Sequence, residues 1–289
     1  MWEYGIGFLL VTQLICAAPA EDSSALSPEP FTLIKSVGGY GSNKGLFSSP
    51  KGITGDGENL FICDSLNNRI VKTDKNLTHF DYFQALPELE FPLDHPSNLI
   101  LQNNQTLLVT DSHNHRVVHY TYEGTFINQI GTLGILAGTF DHPLGIAQDT
   151  TKKVYICDSQ NNRIQIFTQE GVFLSEFGRS GNQEETLLTP TSLVVLDDGN
   201  ILVSDTGHHV LKLYNGFGTY LRTLFQNSPD IKTPQSLCLD PQGYVYVADP
   251  EGHQVLFINP KLETILGRIT APLISPAGIF PDFLPQQQN

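Results

Sequence analysis

The sequence is poor in several residue types, and each shortage excludes something. Methionine and tryptophan occur once each among 289 residues, and cysteine only four times. One cysteine, Cys16, lies in the first twenty residues, so Cys63, Cys157 and Cys238 remain downstream. An odd number cannot form a fully paired intramolecular disulfide framework. No Cys-x-x-Cys pair offers zinc-finger spacing, so no ubiquitin-ligase module of the RING or B-box kind is expected. Basic residues are scarce: 16 Lys+Arg stand against 30 Asp+Glu, giving a net charge of −14. Without a basic surface to displace counterions from phosphates, nucleic acid is not an expected partner. An anionic membrane surface is disfavoured in the same way. Neither a glycine-rich phosphate cradle nor a Ser-His-Asp order is found, and no segment keeps a 3.6-residue apolar period over helical length.

What is present begins with a distinct N-terminus. Gly5 to Ala18 is an apolar run, Ala18-Pro19-Ala20 supplies small residues, and the polar Glu21-Asp22-Ser23-Ser24 follows. The run is too short to span a bilayer comfortably. Residues 1–20 therefore read as a secretory signal cut after Ala20, although the stretch before the apolar run carries Glu3 and no Lys or Arg. The expectation is a secreted, extracellular chain without membrane insertion. Two sequons, at Asn76 and Asn104, would then be glycosylation acceptors. Residues 21–30 and 285–289 read as a disordered linker and tail.

Between them runs a repeat. Phe61-Ile62-Cys63-Asp64-Ser65-Leu66-Asn67-Asn68-Arg69-Ile70 returns as Tyr155-Ile156-Cys157-Asp158-Ser159-Gln160-Asn161-Asn162-Arg163-Ile164. A third copy reads Leu108-Val109-Thr110-Asp111-Ser112-His113-Asn114-His115-Arg116-Val117, and weaker copies surround Asp205 and Asp249. Each unit opens on a proline, Pro50, Pro96, Pro143, Pro190, Pro234 and Pro276, at intervals of 46, 47, 47, 44 and 42 residues. Three residues earlier stands an apolar side chain: Phe47, Leu93, Phe140, Leu187, Ile231 or Leu273. An interval in the forties suits one four-stranded propeller blade. Short Val, Ile, Phe, Tyr and Thr runs separated by turns such as Asp198-Gly199-Asn200 agree with strands. A single blade cannot bury both of its apolar faces; stacking blades around an axis covers them.

Within a unit, Asp closes the second strand, Asn follows three residues later and Arg five later. Asn tolerates a left-handed turn backbone, and Arg can return to the carboxylate. Asp64/Asn67/Arg69, Asp111/Asn114/Arg116 and Asp158/Asn161/Arg163 are thus expected to staple the turn between strands two and three. Asp205 and Asp249 hold the same place, but Arg gives way to Val210 and Gln254, and Asn to His208 and Gly252. Those two turns must be held another way, or more loosely.

Pro-x-Gly-Ile opening a unit, followed by Asp-Ser-x-Asn-x-Arg-Ile/Val, resembles the NHL repeat. Asn114-His115-Arg116-Val117 is close to the signature that names it, and Gly138-Thr139-Phe140-Asp141-His142-Pro143 is similar to the family's Gly-x-Phe-x-x-Pro linker. The resemblance implies an all-β propeller over residues 31–284. Five full repeats are visible. Phe31 to Val37 and Ser275 to Leu284 would join the termini in a partial sixth blade.

Asp111, His113, His115 and His119 form a tempting metal-ligand string. Asp111, however, occupies the staple position and His115 a tight turn, so no metal or cofactor is expected from this set. His208, His209 and His253 fall in the corresponding turns of later units. With His113 and His115 they would make one face histidine-rich and more positive as pH falls. The resemblance also brings in amidating lyases, whose zinc histidine follows the blade-opening proline; here that place holds Lys51, Ser97, Leu144, Thr191, Gln235 or Ala277. A non-catalytic platform for a protein or glycan ligand is the favoured expectation. A metal-dependent lyase or hydrolase, and the RNA or ubiquitin-pathway scaffold of intracellular relatives, are the alternatives. Cys63 and Cys157 occupy equivalent small-residue positions and are expected to be free thiols.

Overall fold

The computed structural model describes residues 38–83, 92–103, 105–181 and 183–270. The expected signal, linker and tail, both contributions to a sixth blade, Leu273, Pro276 and the Asn104 sequon lie outside the described residues.

All the described strands belong to five four-stranded antiparallel sheets, each a meander in chain order. Blade 1 comprises β1 (Pro50–Gly55), β2 (Asn59–Asp64), β3 (Arg69–Asp74) and β4 (Phe80–Phe83). Blade 2 comprises β5 (Pro96–Gln102), β6 (Thr106–Asp111), β7 (Arg116–Thr121) and β8 (Phe126–Ile130). Blade 3 comprises β9 (Pro143–Gln148), β10 (Val154–Asp158), β11 (Arg163–Phe167) and β12 (Phe173–Phe177). Blade 4 comprises β13 (Pro190–Val195), β14 (Ile201–Asp205), β15 (Val210–Tyr214) and β16 (Tyr220–Leu224). Blade 5 comprises β17 (Leu237–Leu239), β18 (Val245–Asp249), β19 (Gln254–Ile258) and β20 (Ile265–Ile269). Four of the five prolines are the first residue of an innermost strand, where a missing N–H is tolerated. Pro234 stands three residues before the shorter β17.

The innermost strands β1, β5, β9, β13 and β17 run side by side around the axis of the propeller. Their close approach explains the glycine of Pro-x-Gly. A Cβ on Gly52 would stand 2.5 Å from Asn98 Cα, and one on Gly145 would stand 2.7 Å from Ser192 Cα. Both neighbours are backbone of the next blade, so neither can yield.

The core lies between blades. Because side chains alternate across a strand, Phe61 and Cys63 of β2 pack with Leu99, Leu107 and Val109 of blade 2, whereas Leu60 and Ile62 face the other side with Phe47 and Phe80. The same alternation joins blade 2 to 3, 3 to 4 and 4 to 5. The residues three before each proline, Phe47, Leu93, Phe140, Leu187 and Ile231, are all buried in these layers. The outward faces of blades 1 and 5 form two separate clusters. Cys63, Cys157 and Cys238 are free, the first two fully buried.

Candidate functional site

The first strand of every blade begins, and the second ends, at the same edge of the propeller. The turn between strands two and three lies there as well, so this face collects the repeat's polar residues.

In blade 1, Asp64 is fully buried. Its Oδ1 accepts from Ser48 N at 2.6 Å, and its Oδ2 accepts from Asn67 Nδ2 at 2.8 Å and Arg69 Nε at 2.7 Å. Asp111 takes Asp94 N, Asn114 Nδ2 and Arg116 Nε at 2.7, 2.9 and 2.7 Å. Asp158 takes Asp141 N, Asn161 Nδ2 and Arg163 Nε at 2.7, 2.9 and 2.7 Å. One carboxylate therefore binds the loop leading into the blade as well as the turn, a link that sequence reasoning missed because the partner is a backbone amide. The expectation that Asn67, Asn114 and Asn161 take the left-handed backbone is corrected. That conformation falls on the next residue, at Asn68, His115 and Asn162 with φ of 53°, 52° and 56°. The preceding asparagine is held by its side chain instead, which also donates to Gly41 O, Pro92 O or Gly134 O.

The two divergent turns keep the plan with other groups. In blade 4, His208 Nδ1 stands 2.7 Å from Asp205 Oδ2 and Lys212 Nζ stands 2.7 Å from the same oxygen. In blade 5, Gln254 Nε2 donates to Asp249 Oδ2 at 2.8 Å and Gly252 N to Oδ1 at 3.3 Å.

The motif also ties blade to blade. Ser112, Ser159 and Thr206 hydroxyls donate to the carbonyls of Pro143, Pro190 and Pro234 in the following blade at 2.5, 2.6 and 2.6 Å, and Ser65 does so to Pro96. The left-handed residue adds a second tie: Asn68 Oδ1 accepts from His95 N at 3.0 Å and Asn162 Oδ1 from Thr189 N at 2.7 Å.

The five histidines expected to share one face divide by role. His208 replaces the staple asparagine. His209 and His253 take the left-handed turn position, with φ of 60° and 50°. His113 and His115 join two histidines that sequence reasoning passed over, His95 and His142. The His95 and His113 rings stack with centroids 3.7 Å apart, and His142 lies edge-on to His113 and His115 at 5.4 and 4.6 Å. Asp94 and Asp141 accompany them: His95 Nδ1 is 2.6 Å from Asp94 Oδ1, and His142 Nδ1 is 2.7 Å from Asp141 Oδ1. Burial and the neighbouring His95 hold the His113 imidazole below its ordinary value. The available signal was the tripeptide Asp-His-Pro, present at Asp94-His95-Pro96 and again at Asp141-His142-Pro143. The string Asp111/His113/His115/His119 is not brought together. Asp111 is committed to its staple, and His119 sits on β7 with a buried Nε2 that finds no partner.

On the axis, a cavity of about 260 Å³ is lined by the innermost strands of all five blades. Its polar groups are those of Thr54, Asn98, Gln148, Ser192, Ser236 and Cys238, and among the described residues no carboxylate or imidazole lines it. Burial pushes the Cys238 thiol up to about 12, so it is no thiolate nucleophile at neutral pH. Asn76 is exposed in the turn after β3. Among the described residues, no helix is long and apolar enough to cross a membrane.

A model of the NHL repeat matches residues 140–167, which are the last lead-in residues and first three strands of blade 3. No curated protein matches the chain. Among solved structures the chain is similar to a streptogramin B lyase, at 15% identity over 78% of this chain and 70% of that one, with a TM-score of 0.60. It is also similar to a chain of the nidogen/laminin complex, at 15% identity over 80% and 84% with a TM-score of 0.61. A catalytically inactive virginiamycin B lyase from Staphylococcus aureus with quinupristin matches at 15% identity over 77% and 70%, TM-score 0.58. At such identities the likeness establishes a shared fold alone. With the repeat model seated on blade 3 and five blades built to one plan of proline, aspartate and stapled turn, the chain is a five-bladed β-propeller that carries an NHL repeat, which supports a place among NHL-repeat propellers.

Proposed function

We propose that this propeller is a secreted, non-catalytic binding module whose ligand is a protein docking on the loops that lead into the blades. The observation that carries the reading is the loop before blade 3. Leu133, Ile135 and Leu136 are 64%, 76% and 73% exposed. Yet their backbone is fixed: Arg163 donates to Ile135 O and Leu136 O at 2.9 Å and to Thr139 O at 3.0 Å. An apolar tip on a pre-ordered backbone loses little conformational entropy on binding. Among the described residues the axial cavity, where a propeller enzyme would draw single residues from several blades, offers hydroxyl, amide and aliphatic groups rather than an acid–base pair. The acidic balance, −14, favours a neutral or basic protein over RNA.

The test is capture from extracellular fluid with the secreted full chain, identification of retained proteins by mass spectrometry, and titration of each against the wild type and an Ile135→Asp/Leu136→Asp variant. The expected result is a retained protein whose affinity falls more than ~10-fold in the variant, about 1.4 kcal/mol. Retention of nothing, of glycans alone, or of partners indifferent to the variant would refute it. The likeness to the lyases supports a second reading, which metal-dependent turnover of quinupristin by the chain would establish.

A further inference from the structure

We infer that Asp94/His95/His113 and Asp141/His142/His115 are two adjoining binding sites for a zinc-class divalent ion. The two groups share one donor set in one arrangement. In the first, Nδ1 of His95 and Nδ1 of His113 stand 2.6 and 3.7 Å from Asp94 Oδ1. In the second, Nδ1 of His142 and Nδ1 of His115 stand 2.7 and 3.3 Å from Asp141 Oδ1. Ligand atoms around a tetrahedral ion with bonds of ~2.0–2.1 Å stand roughly 3.3 Å apart. The observed separations straddle that distance, so an ion is admitted by shifts of tenths of an ångström. One ligand atom from each residue of a group lies within 4.8 Å of those of the other two.

The scaffold holds these ligands in advance. His95 and His142 sit in left-handed backbone, φ 54° and 50°, directly before a blade-opening proline. The amides of Asp94 and Asp141 are bound by the buried staple carboxylates Asp111 and Asp158. His115 comes from the left-handed position of the blade 2 turn and reaches the loop of blade 3; its Nδ1 accepts from His142 N at 3.2 Å, a long bond that the ion would replace. The second site thus bridges two blades, and the edge-on contact of His113 with His142 makes the two sites one patch.

The ligands are also not what the fold requires. The equivalents of Asp-His are Ser48-Ser49 in blade 1, Leu188-Thr189 in blade 4 and Lys232-Thr233 in blade 5, and those blades form without them. Imidazole with a single carboxylate selects zinc and its transition-metal neighbours over magnesium or calcium, which favour all-oxygen shells. Three protein ligands leave a fourth position for water or a group from a bound molecule.

The test uses the full secreted chain, stripped with chelator and titrated with zinc chloride by calorimetry at pH 7.5, with magnesium chloride as the control. About two equivalents of zinc are expected to bind and to raise the thermal midpoint, and magnesium is expected to do neither. His113→Ala should remove one equivalent and His142→Ala the other. His209→Ala, in the corresponding turn of blade 4, should keep both. Absence of saturable zinc binding up to ~100 μM, or an unchanged stoichiometry in the His113→Ala/His142→Ala variant, would overturn the assignment. Circular dichroism of each variant separates loss of a ligand from loss of the fold, and the midpoint shift of the wild-type chain tests the sites without any substitution.

Discussion

The buried carboxylate of blade 3 gives a sharp prediction for how the repeat is held. Asp158 has no exposed surface and accepts four N–H groups: Asp141 N at 2.7 Å, Asn161 Nδ2 at 2.9 Å, Arg163 Nε at 2.7 Å and Gln165 Nε2 at 3.0 Å. In Asp158→Ala, Asn161 keeps its bond to Gly134 O and Gln165 keeps its bond to Thr139 O. Asp141 N and Arg163 Nε are left without their acceptor. Two orphaned donors at ~1–3 kcal/mol each give a loss of about 2–6 kcal/mol. Breaking a buried ion pair independently suggests ~3–5 kcal/mol. Against a total stability of ~5–15 kcal/mol this is a large fraction. Arg163 keeps Glu176 Oε2 at 2.9 Å and the carbonyls of Ile135, Leu136 and Thr139, so the loss sits at the lead-in amide and the turn. Urea unfolding followed by far-ultraviolet circular dichroism measures it. A loss below ~1 kcal/mol for Asp158→Ala would refute the view that the carboxylate organises turn and lead-in loop together.

Three further outcomes follow from the same structure. Gly145→Ala should destabilise by ~1–3 kcal/mol in urea unfolding, since its Cβ would meet Ser192 Cα and Thr191 O, which are backbone, as well as the buried Cys157 Sγ; no loss would show that the innermost strands can part there. Burial holds the His119 and His113 imidazoles below their ordinary value. As pH falls below ~6.5 the unfolded chain therefore takes up protons before the folded chain does, and stability declines. His119→Gln should flatten the fall of the urea midpoint between pH 7 and 5, and an unchanged slope would count against a neutral buried ring. Cys63 and Cys157 are fully buried and their thiols are pushed far up by burial. Neither should react with a thiol reagent at pH 8 until denaturant is added, and non-reducing mass spectrometry should find no bridge between them.

Asp64, Asn67 and Arg69 lie within five residues of one another and recur at a fixed interval, so their association was legible in the amino-acid order alone. The blade-opening prolines, the apolar residue three places earlier and the count of full blades were legible for the same reason. His208 taking over from asparagine in blade 4 was not, because a different side chain fills the same space with the same hydrogen bond. Nor was the work of Lys212, two residues beyond the missing arginine: only the strand pairing shows that its amine reaches Asp205.

The sequence by itself determined the architecture, because each blade is a local meander whose signals repeat every forty-odd residues, and repetition makes a weak signal strong. Tertiary structure alone decided what meets across blades. His115 and His142 are 27 residues apart, and they touch because successive blades stack at one particular angle around the axis. That angle is set by packing between apolar faces and by the glycine contacts of the innermost strands, which no spacing along the chain encodes.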